Sequence, residues 1–193
     1  MSPRPPFASD EELLTATRAG DEEAFLEIYR RHRDRVFAFA YRMTGEAETA
    51  RDVTHSCFTS LLAAPLRYDG RRASLGTYLC TAARNLSLRH ASRAWRERPS
   101  SSRTDLQPAR GPSPLEALLA EERARIVRES LLALPPLHRE VLILAEYEEL
   151  DLATIAQLVG AEVGAVKVRL HRARRKLRAA LDGHVRAGAL SVG

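Results

Sequence analysis

Lys167, Arg169, Arg172 and Arg175 recur near the end of the chain, with Arg174, Lys176 and Arg178 filling the gaps between and beyond them. A guanidinium is planar, permanently charged and bidentate, which suits it to phosphate oxygens and to base edges. This stretch is one of two basic blocks. From Val163 to Arg186 there are eight basic residues against one acid, Asp182. From Pro65 to Arg98 there are eight arginines, among them Arg71, Arg72, Arg84 and Arg89, against Asp69 and Glu97. Between the blocks the sign reverses, with nine acids against four arginines from Glu116 to Asp151. Two separated basic blocks predict two separate contacts with a polyanion. Tyr68, Tyr78 and Trp95 are interleaved with the first block and offer rings on which bases can stack. Tyr78 also lies on an apolar helical stripe, where core packing is the competing role, and Trp95 can equally cover a domain edge.

Other chemistry finds little support. His55, Cys57, Cys80 and His90 match no paired metal-ligand spacing, and the two thiols fall on or beside apolar faces, so buried structural cysteines are expected. Glu146, Glu148, Glu149 and Asp151 have no nucleophile or metal ligand beside them and read as a solvated loop ending in a helix cap. There is no glycine-rich phosphate loop. No catalytic residue, metal, cofactor or small-molecule substrate is therefore expected, and the chain is not read as an enzyme.

Composition agrees with a binding protein. The 193 residues are 45% hydrophobic and 28% charged, with a net charge of +5, as in an ordinary soluble globular chain. All but Lys167 and Lys176 of the thirty basic residues are arginine. An arginine-favouring codon usage accounts for that excess as a whole, so its distribution is the better guide. No apolar run reaches the ~18 residues of a membrane span, so direct membrane insertion is not expected. The N-terminal Met1-Ser-Pro-Arg-Pro-Pro6 lacks the apolar stretch of a secretory signal, and two cysteines make no disulfide framework; a cytoplasmic location follows as the expectation.

The elements that must hold these residues are helical. Ser9-Asp-Glu-Glu12 is a capping box, Asp21 and Ser74 can cap further helices, and Gly20, Gly45 and Pro65 end them. The apolar residues Phe25, Ile28, Tyr29, Val36, Phe37, Ala40 and Met43 keep the spacing of one helical face. So do Ala50, Val53, Cys57, Phe58 and Leu61, and then Leu75, Tyr78, Leu79, Ala82, Ala83 and Leu86. Four prolines and four serines between Arg98 and Pro114 predict a linker too poor in apolar residues to pack. Beyond it, Leu152 to about Leu181 reads as a helix-turn-helix: a short helix with the small Ala156, the turn residue Gly160, and a long basic helix packed inward through Val166 and Leu170. No alternating run is long enough for a strand. The predicted architecture is all-α: a helical domain over residues 1–98, a flexible linker over 99–112, and a second helical domain over 113–193 containing the helix-turn-helix.

At this point a family resemblance emerges. Leu134-Pro-Pro-Leu-His-Arg-Glu-Val-Leu142, Ile155-Ala156, Gly160 and Val166-Lys-Val-Arg-Leu-His-Arg-Ala-Arg174 resemble the C-terminal promoter-binding region of bacterial RNA polymerase sigma factors of the extracytoplasmic-function (ECF) group. Ala24-Phe25, Tyr29, Gly45-Glu-Ala-Glu48, Asp52-Val53 and Phe58 resemble that group's core-binding helices. Arg67-Tyr-Asp-Gly-Arg71, Ser74-Leu75, Thr77-Tyr-Leu79 and Ala83-Arg-Asn-Leu86 resemble its promoter-melting region. The resemblance covers about residues 10–98 and 113–181 in the family's order. It implies a promoter-specificity subunit whose partners are core RNA polymerase, promoter DNA and an anti-sigma protein. Carried onto this chain, it places Arg51, Asp52, His55 and Ser56 on the polymerase clamp. Tyr68, Asp69, Arg71, Arg72, Arg84, Asn85 and Arg89 fall at the minus-ten element, where a base is flipped and captured. Glu162, Ala165, Lys167, Arg169, Arg172 and Arg175 fall at the minus-thirty-five element. The chain departs from the family pattern in having His55-Ser56 where Gln-Glu is usual. It also has Ala161, Glu162, Val163, Ala165 and Val168 where small polar residues are common. The second departure leaves two alternatives: readout by shape and thymine methyl contacts, or weak duplex binding. An alternative function is a sigma-like interaction module that binds polymerase or an anti-sigma protein without initiating transcription. A stand-alone helix-turn-helix repressor would leave the first half of the chain unexplained.

Overall fold

The computed structural model describes residues 9–64, 68–71, 73–97 and 114–190. Among these the chain is all-α, with eight helices and no strand: α1 (Asp10–Arg18), α2 (Glu22–Thr44), α3 (Ala47–Ala63), α4 (Leu75–Glu97), α5 (Pro114–Leu132), α6 (Pro136–Glu146), α7 (Leu152–Val159) and α8 (Val163–Leu190). Contacts divide the chain into two compact units, residues 1–41 with 46–87, and residues 42–45 with 88–193. The linker expected over 99–112, Pro65 and Ser113 lie outside the described residues. None of the described helices is long and apolar enough to cross a membrane.

In the first unit the caps fall where the sequence puts them. Ser9 accepts from the Glu12 N–H, and the Glu12 carboxylate accepts from the Ser9 N–H at 2.7 Å, closing the capping box of α1. The Ser9 N–H and then the Ser9 hydroxyl, both donating to it, hold the Glu12 carboxyl below its ordinary range. Asp21 accepts from Ala24 and Ser74 from Thr77, opening α2 and α4. Asp10 of α1 meets His32 of α2 at 2.8 Å. Edge-to-face contacts of Phe58 with Tyr29 (4.8 Å) and Phe25 (6.5 Å) join α3 to α2. The core holds Leu13, Leu14, Ile28, Val36, Phe39, Val53, Cys57, Leu61, Leu75 and Leu79. Phe37, expected on the buried face, is only half-buried and stacks on Tyr41; Phe39 takes the core position.

The second unit packs α8 against α5, α6 and α7. Its core includes Leu131, Leu134, Val141, Ile143, Leu144, Ile155, Val166, Leu170 and Ala173. Asp151 caps α7 by accepting from Thr154 at 2.8 Å. Gly160 ends α7 at φ 66°, a left-handed backbone that costs a residue with a Cβ about 1–2 kcal/mol. Helix α8 runs to Leu190, past the expected end near Leu181. Asp182-Gly183 does not stop it, because a helical glycine costs about 1 kcal/mol relative to alanine but keeps the hydrogen-bond ladder intact.

Candidate nucleic-acid interface

The helix-turn-helix is built as its residues require. Ala156 is 6% exposed, small enough for α7 and α8 to cross closely, and the turn is closed by Ala161 N–H donating to the Ala156 carbonyl at 3.0 Å. Val166, Leu170 and Ala173 face inward and fix the rotation of α8 about its axis. At about 100° per residue, the opposite face then carries Gly164, Ala165, Val168, His171, Arg172 and Arg175, all exposed. Lys167, exposed, and Arg169, half-buried, lie on opposite flanks of that face. Glu162 is exposed just before the helix and its carbonyl accepts from the Val166 N–H. The six residues expected to read duplex DNA therefore surround the start and outward side of one helix, although no single face holds them all. Arg174 is engaged elsewhere, paired with Glu146 at 2.6 Å.

His138, at the start of α6, belongs to the same electrostatic neighbourhood. Burial, then the charges of Lys176, Arg172 and Arg169, hold its ring below the ordinary histidine range. Its Nδ1 is buried without a hydrogen-bond partner.

The residues expected at the minus-ten element lie in the loop before α4 and along that helix. Tyr68 is half-buried, donates its hydroxyl to the Ala73 carbonyl at 3.1 Å and meets Tyr78 edge-on at 5.4 Å. Burial first, then the charges of Asp10, Glu11 and Asp69, push its phenol up. Tyr78 is likewise half-buried. Asp69 accepts from the Arg71 N–H at 3.0 Å, an Asx turn that shapes the loop. Asn85 and Arg89 are exposed one turn apart on α4, and half-buried Arg84 donates to the Asn85 side-chain oxygen at 2.9 Å. Arg72 lies outside the described residues. Trp95 is 36% exposed farther along the same helix. On α3, Arg51, Asp52 and His55 are exposed and Ser56 half-buried, on faces turned from Val53, Cys57 and Phe58.

The remaining groups behave as structure. Cys57 and Cys80 are buried and carry no disulfide, and burial pushes the Cys57 thiol up to about 12. Among the described residues no group of three His, Cys, Asp or Glu side chains could hold a metal. The acidic stretch before α7 departs from its expected solvation at one position, since Glu148 is buried. Val168, one of the apolar positions at which thymine methyl contacts are an expected alternative, stands exposed on the outward face, and Gly164, to which the sequence gives no role, lies one turn before it. A glycine on a basic helix carries no signal of its own, and the rotation of α8 is what brings Gly164 to the outside.

Comparison with known proteins gives the class. Sigma-70 region 2 matches residues 28–97, and Sigma-70 region 4 matches residues 124–177. ECF RNA polymerase sigma factor SigM of Mycobacterium tuberculosis is 31% identical over 182 residues, covering 93% of this chain and 88% of that protein. ECF RNA polymerase sigma factor SigW of Bacillus subtilis is 27% identical over 177 residues, covering 86% and 92%. Among solved structures, CnrH in complex with the cytosolic domain of CnrY is similar at a TM-score of 0.63 and 25% identity, covering 91% of this chain and 99% of that one. The sigma factor RpoE of Bartonella quintana, solved with the anti-sigma factor NepR, shares the fold at a TM-score of 0.61 and 21% identity, covering 82% and 96%. The chain belongs to the sigma-70 family, in its ECF group. It is a promoter-specificity subunit of RNA polymerase, acting with the core enzyme and promoter DNA in transcription initiation.

Proposed function

We propose that the two basic blocks divide promoter recognition between the two units, and that the chain does no chemistry of its own. Residues 1–98 engage core polymerase and the minus-ten element, residues 99–112 link, and residues 113–193 engage the minus-thirty-five element. Arg51, Asp52, His55 and Ser56 of α3 meet the polymerase clamp. Tyr68, Asp69, Arg71 and Arg72, with Arg84, Asn85 and Arg89 of α4, hold the separated strand at the minus-ten element, where the half-buried Tyr68 and Tyr78 offer rings for stacked bases. Glu162, Ala165 and Arg169 meet base edges, and Lys167, Arg172 and Arg175 meet phosphates. The observation that carries this reading is the outward face of α8, where Arg172 and Arg175 stand exposed opposite a fully buried apolar stripe. The protein works in the cytoplasm, where its polymerase and DNA are. An anti-sigma protein restrains it, as the complexes of RpoE with NepR and CnrH with CnrY suggest by analogy.

In-vitro transcription with core polymerase over a pooled promoter library tests the reading. A restricted set of promoters should open, and polymerase capture without open complexes at any promoter would favour the interaction-module alternative. Asp52→Arg should weaken capture of core with circular dichroism unchanged. Unaltered capture would remove α3 from the clamp interface.

A further inference from the structure

Between Ala161 and Arg172 the chain has no side-chain hydroxyl or amide, so hydrogen-bond readout in this stretch falls to the charged groups and the exposed His171 imidazole. At the centre of the outward face stands Val168, 48% exposed. A lone surface valine is unremarkable in a soluble protein. This one has two neighbours that give it meaning. Gly164 lies one turn before it on the same face, in ordinary helical backbone, and a Cβ there would meet nothing within 4 Å. Nothing inside the protein therefore requires a glycine at 164, and alanine would hold the helix better. What the glycine provides is a notch outside, beside the valine methyls. Lys167 and Arg169 frame the pair on either flank, and Arg172 follows one turn later.

Exposed methyl groups beside bare backbone, framed by cations, complement one feature of duplex DNA. In the major groove the thymine C5-methyl projects between two phosphate-lined walls, and an apolar side chain is what reads it. We propose that Val168 is a specificity-determining residue that packs on a thymine C5-methyl of the promoter, with Gly164 giving that base edge room to approach. The proposal rests on the reading of α8 as the duplex-reading helix. It deepens that reading by assigning a base to a residue, and it selects methyl readout over weak duplex binding.

The test uses the full chain assembled with core polymerase and a promoter selected from the pooled library. Each thymine of the upstream element is replaced in turn by deoxyuridine, which deletes only the methyl. At one thymine the replacement should weaken binding about fourfold, the worth of one buried methyl. Val168→Ala should weaken binding to the parent duplex by a similar factor and erase the difference between thymine and deoxyuridine at that position. Gly164→Ala should raise the melting temperature of the free chain and still weaken binding to the thymine duplex. Equal binding of every deoxyuridine duplex, a deoxyuridine penalty that survives in Val168→Ala, or full affinity in Gly164→Ala would each overturn the proposal. Arg172→Ala separates the two levels of inference. If it weakens all duplexes while deoxyuridine has no effect, only the methyl contact falls. If Arg172→Ala also leaves affinity and its salt dependence unchanged, α8 is not the DNA-reading helix.

Discussion

Arg139 shows how one side chain can close a helix from a distance. It is 4% exposed, and its guanidinium donates to the carbonyls of Leu131, Leu132 and Leu134 at the end of α5 and to that of Met43 within the same unit. The last carbonyls of a helix have no partner in the helix itself, so a five-donor fork aimed at them satisfies several at once. Lysine has no such fork. Arg139→Lys is therefore expected to cost about 2–4 kcal/mol in denaturant unfolding, since buried acceptors lose charged donors. A variant as stable as the parent would mean that the fork is not what finishes α5. His138, the preceding residue, gives a pH signature. Its folded pKa lies below the ordinary 6.5 because burial and then Lys176, Arg172 and Arg169 oppose the proton. In the window between the folded value and 6.5 the unfolded chain binds the extra proton, so stability rises with pH there and is lost as pH falls through it. His138→Gln should flatten that part of the stability profile, measured by melting temperature in matched buffers from acid to neutral pH. An unchanged slope would assign the titration to another group.

At the scale of elements, the legible features are those with local causes. Ser9, Asp21, Ser74 and Asp151 cap the helices that the sequence reading assigned to them, because an N-cap is decided within four residues. Gly160 was legible for the same reason, and its two possible functions can be separated. A Cβ at 160 would meet nothing within 4 Å, so the cost of substitution is that of the left-handed backbone alone. Gly160→Ala should lose about 1 kcal/mol or more, and Gly160→Asn, which tolerates that backbone, distinctly less. Equal losses in thermal unfolding would point to crowding instead. What escaped the sequence was set by distant partners. Phe37 and Phe39 are both plausible core residues on α2, and contacts beyond the helix decide between them. Glu148 reads as solvated beside three other acids, yet the fold buries it. The candidate interface was legible in part: Arg172 and Arg175 stand out by charge and Val168 as an apolar position on the recognition helix, whereas Gly164 gains a place only from the rotation of α8 that Val166 and Leu170 set.

At the scale of the whole molecule, charge and compartmentation of the fold become measurable. A phosphate contact releases condensed counterions, so each one lost should lower the slope of log affinity against log salt by about one unit. Arg172→Ala should do this on every promoter alike, leaving the preferred sequence unchanged, in titrations of the polymerase-bound chain at several salt concentrations. A shift in sequence preference without a change in slope would make Arg172 a base reader instead. The two units also differ in something unrelated to binding. Both thiols of the chain, Cys57 and Cys80, are buried within the first unit, and the second has none. An alkylating reagent can reach them only when that unit opens, and with the Cys57 pKa raised to about 12 its closed form supplies almost no reactive thiolate at neutral pH. The labelling rate of the native chain should therefore track the opening equilibrium of the first unit alone, rising steeply in dilute denaturant. Nature has placed a pair of reporters on one half of the protein and left the other half silent, so the stability of each can be measured in a single intact chain.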